Sequence, residues 1–203
     1  MTNSASTLGS FEGGRALLGA AGLVVYGAVK SHHIDELALN DWWTNEHLPE
    51  RLTIPGFLRA RRYCARDDAS SVTSYLTLYE TEDISTLTSA PYMEKLDNPT
   101  QGTKKHIPTL ATMHRSACQV VCSQMRHELM TCGHGVGAAM VMLVLSLSSD
   151  DANVDTVPEF ATNNFSKLQR SNKSLMAFHV LREDRAATEP GSASQSSVYA
   201  WRL

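Results

Sequence analysis

The densest run of chemically useful side chains is Trp42 to Tyr63, WWTNEHLPERLTIPGFLRARRY. It holds two indoles, the His47 imidazole between the carboxylates of Glu46 and Glu50, a proline break, and a strand-like stretch with three arginines and a tyrosine. His47 follows Trp43 by four residues and so shares a helix face with it, while Glu46 follows Trp42 on an adjacent face. That spacing sets the imidazole against an apolar stripe rather than free in water. A neutral imidazole with a pKa near neutrality exchanges protons readily with a bound carbonyl compound, and needs no cofactor to do so. The plain alternative is that His47 satisfies a backbone carbonyl in a helix–sheet core.

Other side chains near this run offer oxygen recognition. Buried tyrosines seek a partner for their hydroxyl, so Tyr63, Tyr75, Tyr79 and Tyr92 are candidates to line a pocket or only to pack. Tyr63 is the one expected to orient a substrate oxygen, with Trp43, Tyr75 and Tyr92 as walls. Arg62 suits a carboxylate or enolate oxygen, although three arginines in four residues more often make a solvated strand face. His106 and His114 lie near a second helical region, and His106 is the one expected to approach the pocket. Strand parity puts Phe57, Arg59, Arg61 and Tyr63 on one face and Leu58, Ala60, Arg62 and Cys64 on the other. Tyr63 and Arg62 therefore cannot face one pocket together unless a bulge intervenes.

Positioning these groups requires a helix from Asp35 to Arg51, disturbed at Pro49, and a hairpin of Phe57 to Arg66 and Val72 to Glu80 behind the Pro55-Gly56 turn. In the second hairpin strand Thr73, Tyr75, Thr77 and Tyr79 form a hydroxyl-bearing face, better for a ligand than the aliphatic face of Val72, Leu76 and Leu78. Leu17 to Val29 forms a first strand, Asp83 to Leu96 a helix, Thr103 to Met113 a shorter one, and Ala117 to Cys122 a strand. The order β-α-β-β-α-β is the ferredoxin-like plan, two helices on one face of a four-stranded antiparallel sheet. From Gly135 the pattern restarts with a strand to Leu147, a helix over Pro158 to Arg170, and strands at Ser174 to Arg182 and Ser197 to Leu203, without a second helix.

The expected fold is α+β, two ferredoxin-like halves packed sheet to sheet as a pseudo-dimeric α/β barrel. Residues 1–16 form a mobile lead-in, 17–125 the first half with the site, 126–134 a linker and 135–203 the shorter second half.

The 203 residues, 42% hydrophobic and 19% charged, are ordinary for a water-soluble globular protein. A net charge of −3 without long like-charge blocks gives no field to gather nucleic acid or an anionic membrane. Neither apolar run reaches the roughly 18 to 20 residues of a membrane-spanning helix. Four cysteines are too few for a disulfide scaffold, so reduced thiols and a cytoplasmic location are expected. Cys118, Cys122, His127, Cys132 and His134 invite a zinc reading. On a regular strand, however, Cys118 and Cys122 share a face about 13 Å apart, too far for one tetrahedral metal, and no metal is expected. No Gly-rich phosphate loop, Walker lysine, nucleophile elbow or Rossmann fingerprint is present.

The stretch from Asp41 to Tyr63, with its tryptophans, Glu46-His47, Pro49-Glu50-Arg51 and Pro55-Gly56-Phe57 through Arg62-Tyr63, resembles the EthD-like branch of the dimeric α/β-barrel superfamily. The match is densest over about a tenth of the chain and continues loosely through Leu78-Tyr79-Glu80 and Ala90-Pro91-Tyr92. The resemblance implies a small apolar pocket between sheet and helices. It also implies an activity among the cofactor-independent lyases, cyclases, isomerases and oxygenases of polyketide or aromatic compounds, or among haem-using relatives. On it, the helix histidine corresponds to His47 and the strand-end aromatic to Tyr63. The second half lacks a Glu-His-Leu-Pro equivalent, which implies one pocket per chain and leaves further dimerisation open.

The leading expectation is thus a cofactor-independent lyase, cyclase or isomerase that binds a small apolar carbonyl compound and uses His47 as general acid or base. A non-catalytic binding or assembly protein, and a haem-dependent oxidoreductase with a helix histidine as axial ligand, are the rivals.

Overall fold

The computed structural model describes residues 16–30, 34–67, 72–110, 112–126, 129, 137–145, 156–188 and 198–201. The expected lead-in lies mostly outside the described residues, as do His127, Cys132 and His134.

Seven strands pair in the order β2-β3-β1-β4-β6-β7-β5. The first four are β1 (Ala21–Lys30), β2 (Phe57–Asp67), β3 (Val72–Thr81) and β4 (His114–Met125), and their order, β2-β3-β1-β4, is that of a ferredoxin-like sheet with every pairing antiparallel. The other three, β5 (Met142–Leu145), β6 (Ala177–Glu183) and β7 (Val198–Trp201), lie as β6-β7-β5, the same plan without its last strand. The α+β architecture is therefore as expected. One feature differs: the two halves are joined edge to edge by the β4–β6 ladder and make one continuous sheet.

That sheet curls until its halves face each other. Arg59 on β2 and His179 on β6 are separated by three intervening strands, yet both border one small cavity together with Tyr63, Leu78 and Met140. Strands spaced about 4.8 Å apart could not do this in a flat sheet. Leu78, Val24, Cys118 and Leu181 form the buried core of this inner face, with Met140 and Met142 packed against it.

Helices cover the opposite face. The α1 helix (Glu36–Trp42) starts at Asp35, whose carboxylate accepts from the Ala38 amide at 3.0 Å. It runs through a single π turn (Trp43–His47) into α2 (Leu48–Leu52). The π turn immediately precedes Pro49, which has no N–H to donate to the carbonyl four residues back and whose ring crowds that carbonyl. The predicted helix from Asp83 is split: Pro91 and the Ser89 cap start α3 (Ala90–Asp97) after a short 3₁₀ turn at Ile84–Thr88. The α4 helix (Gln101–His106) gives way to a 3₁₀ turn (Ile107–Leu110) that contains Pro108. In the second half α5 (Val157–Ser171) packs through Phe165 onto Phe178 of β6, ring centroids 4.3 Å apart. Between the two last strands, where no second helix is expected, stands a short one, α6 (Arg185–Thr188).

Two bulges correct the parity expectations. In β2 the register shifts between Phe57 and Arg59, so Leu58 is the extra residue and Phe57 turns to the helix side, against Tyr79 and Tyr92. In β4 it shifts between Val120 and Cys122, so Cys118 and Cys122 do not share a face. Cys118 lies in the inner core, whereas Cys122 packs against the α5 side, 3.7 Å from Thr162 Oγ1. Among the described residues no three potential metal ligands cluster, and no helix is long and apolar enough to cross a membrane.

Candidate functional site

Between the sheet and the helices of the first half lies a cavity of about 500 Å³. Its floor is the outer face of the sheet, Leu23 and Val25 of β1, Tyr79 of β3 and Arg115 of β4. The π turn and α2 supply one wall, Trp43, His47 and Arg51, and α3 another through Tyr92, Lys95 and Leu96. Thr103, Lys104 and the apolar 3₁₀ turn at Ile107 and Pro108 complete the enclosure. The volume suits a small organic molecule of two or three rings.

His47 reaches this cavity from the π turn. Its ring lies 4.8 Å from that of Trp42, which in turn stacks on His106 at 5.1 Å. Its Nδ1 is 3.5 Å from Thr103 Oγ1. Burial, and secondarily the Arg51 guanidinium, pull its pKa from 6.5 down to about 3. The imidazole is therefore neutral throughout the physiological range, which corrects the expectation of a pKa near neutrality. It is a poor proton abstractor in the free protein but a good hydrogen-bond donor or acceptor in a low-dielectric space.

Of the expected site residues, the structure brings His47, Trp43 and Tyr92 to the cavity. Tyr63 is on the inner face of the sheet, where its hydroxyl donates to Gly137 O at 3.3 Å, so it cannot meet the same ligand as His47. Arg62 stays on the helix side but is engaged: it donates to Asn40 Oδ1 and Thr44 Oγ1 at 2.5 and 2.9 Å and lies over the rings of Trp43 and Tyr75. Tyr75 donates to Glu36 Oε1 at 2.7 Å and, chiefly through burial, is pushed up to about 12. Arg62 and Tyr75 brace α1 and the back of Trp43; neither borders the cavity. His106 is buried behind Trp42 and likewise does not border it. Glu46 is not a proton donor to His47. Its Oε1 accepts from Thr100 Oγ1 at 2.6 Å and so holds the cap of α4.

Tyr79, a candidate among the tyrosines, does border the cavity, and several further lining residues, Thr103, Arg115 and Arg51 among them, carried no expectation as ligand contacts. Tyr79 is fully buried, its phenol well above its ordinary pKa through desolvation and hence neutral. Thr103 was masked by its position in a weak helix signal. Arg115 donates to Tyr92 Oη at 2.8 Å and to Thr188 O at 3.0 Å, a pairing across the chain that no local pattern reveals. Arg51 follows His47 by four residues on the same helical run, and that spacing was the signal that could have found it.

No protein-family model and no curated protein matches the chain. The solved structures similar to the chain include two that are each described as a "putative monooxygenase". One, from Fusobacterium nucleatum subsp. nucleatum ATCC 25586, has a TM-score of 0.49 and 10% identity over 91% of this chain and 76% of that one. The other, from Lactobacillus acidophilus NCFM, has a TM-score of 0.48 and 9% identity over 90% of this chain and 75% of that one.

Proposed function

We propose that the chain is an enzyme that takes a small, mainly apolar carbonyl compound of aromatic or polyketide type into the cavity beside His47 and transforms it by proton transfer alone, as a lyase, cyclase or isomerase. The observation that carries this reading is the cavity itself, about 500 Å³, walled largely by aromatic and aliphatic side chains and bordered by the His47 imidazole. His47 acts in its neutral form, hydrogen-bonded to the substrate oxygen or taking a proton from an adjacent carbon as the substrate becomes an enolate. Tyr79 and Tyr92 border the same cavity and take the place given to Tyr63 as residues that orient the oxygen.

The low basicity of His47 favours one second reading, binding without turnover, since a base of pKa about 3 gains little by abstracting a proton from carbon. The test is a panel of aromatic β-keto acids and polyketide-like ketones, followed by chromatography and mass spectrometry for any new product with the wild-type protein and with Val25→Trp, which fills the cavity from its floor. Turnover by the wild type and its loss in the filled variant is the expected result. Saturable binding of the same compounds with no conversion favours the second reading, and conversion undiminished in the filled variant places the site elsewhere.

A further inference from the structure

Arg51 is 4% exposed, on the short helix that continues from His47. Its Nη2 has a distant carbonyl partner, Lys95 O at 3.5 Å, and stands 3.8 Å from Glu50 Oε2. Neither Nε nor Nη1 has a hydrogen-bond partner. A guanidinium presents two donor forks, Nε with Nη2 and Nη1 with Nη2, and each here contains a nitrogen with nothing to donate to. Leaving buried donors unpaired is costly even beside the Glu50 carboxylate, and a bound acceptor is one way such a site is completed. Arg51 is itself one of the residues that border the cavity, on the same wall as His47.

The rest of the lining agrees. Lys95, Lys104 and Arg115 also border the cavity, and among the described residues no Asp or Glu does. Glu50, the carboxylate beside Arg51, is shared with Lys95, whose Nζ lies 3.9 Å from Oε1. Arg115 is already committed to Tyr92 and Thr188. An apolar chamber ringed by cations, one of them buried with idle donors, is complementary to an aromatic acid rather than to a neutral ketone.

We infer that Arg51 is the anion-recognition residue of this cavity and that the natural ligand carries a carboxylate, or an equally acidic enol or phenol, beside its carbonyl and ring system. This rests on the cavity reading above and names the class of compound it accepts. With the ligand's anion on Arg51, the reacting part of the molecule lies next to His47, one helical turn earlier.

The experiment compares 2-naphthoate with 2-naphthamide, equal in shape and differing in charge, by titration calorimetry at pH 7 on the full chain. Wild type should bind the carboxylate roughly tenfold or more tightly than the amide, the difference a charge-assisted hydrogen bond makes. Arg51→Gln should bring the carboxylate to the amide's level and leave the amide within about twofold. If Arg51→Gln does not fold, Arg51→Lys stands in for it: a point charge without a fork should weaken naphthoate several-fold and spare naphthamide, and unchanged naphthoate affinity in it overturns the inference. Equal binding of the two probes by wild type, or a preference that survives Arg51→Gln, also overturns the inference while leaving the cavity reading intact. Binding of neither probe by wild type overturns the cavity reading and the inference together.

Discussion

The ring of His47 lies 4.8 Å from that of Trp42, five residues earlier. In an α-helix residues five apart point to different faces, and three- and four-residue neighbours meet instead. The contact exists because residues 43–47 form a π turn, in which the Leu48 amide donates to the Trp43 carbonyl. The extra residue per turn slides His47 over Trp42 while Trp43 and His47 both still border the cavity.

His47→Gln keeps bulk and hydrogen bonding and removes proton exchange. A catalytic role predicts loss of roughly 10²-fold or more in turnover, with thermal unfolding little changed. A purely structural role predicts the reverse, a stability cost on the order of 1–3 kcal/mol with turnover per folded molecule near normal. Measuring kcat and Tm on one preparation separates the two.

Stability should fall with acid through two histidines. His47 titrates at about 3 and His179, mainly through burial and then the nearby Arg59, at about 4, against 6.5 in the unfolded chain. Between those values the unfolded chain binds more protons, so stability rises with pH. The full contribution is present above about pH 6.5 and is lost progressively as pH drops toward 4, by on the order of a few kcal/mol. Denaturant unfolding at pH 7, 5.5 and 4.5 should show this slope, and His47→Gln and His179→Gln should each flatten it. An unchanged slope in both variants would falsify the assignment.

Tyr63→Phe should leave ligand binding and turnover within about twofold of wild type, because Tyr63 faces the inner side of the curled sheet. Losing its hydroxyl's bond to Gly137 O should cost about 1 kcal/mol in stability. A large loss of affinity for a cavity ligand would mean that the two sheet faces communicate.

Gly102→Ala tests how the roof is held. A Cβ there would stand 2.5 Å from both carboxylate oxygens of Glu46 and 2.6 Å from Trp42 Cδ1, so α4 must move away from the π turn. Since Thr103 and Lys104 of α4 border the cavity, the variant should lose roughly 1–3 kcal/mol of stability and also weaken ligand binding. Unaltered binding would mean that α4 does not shape the pocket.

The alternation Thr73, Tyr75, Thr77, Tyr79, the capped start at Asp35 and the Pro55-Gly56 turn were enough to determine from sequence the strand–helix order and which face of β3 meets the helices. Those features are local: hydrophobic period, caps and turn chemistry act within a few residues. At Gly56, φ is +88°, a conformation that favours glycine, and the turn lies where the sequence puts it. His47 was legible as a candidate for the same reason, since its place beside Trp43 on the helical run is set by local spacing, and it does border the cavity. Three things were decided only in the tertiary structure. The bulges at Leu58 and Val121 depend on which partner strand each residue meets, so the face of Phe57 and the separation of Cys118 from Cys122 could not be read from parity. The joining of the halves into one sheet, whose inner face holds Tyr63 against Gly137, rests on the β4–β6 ladder between residues some sixty apart. The low pKa of His47 and the idle donors of Arg51 arise from what the fold removes, water and competing acceptors, and desolvation is a property of the packed chain rather than of any stretch of it.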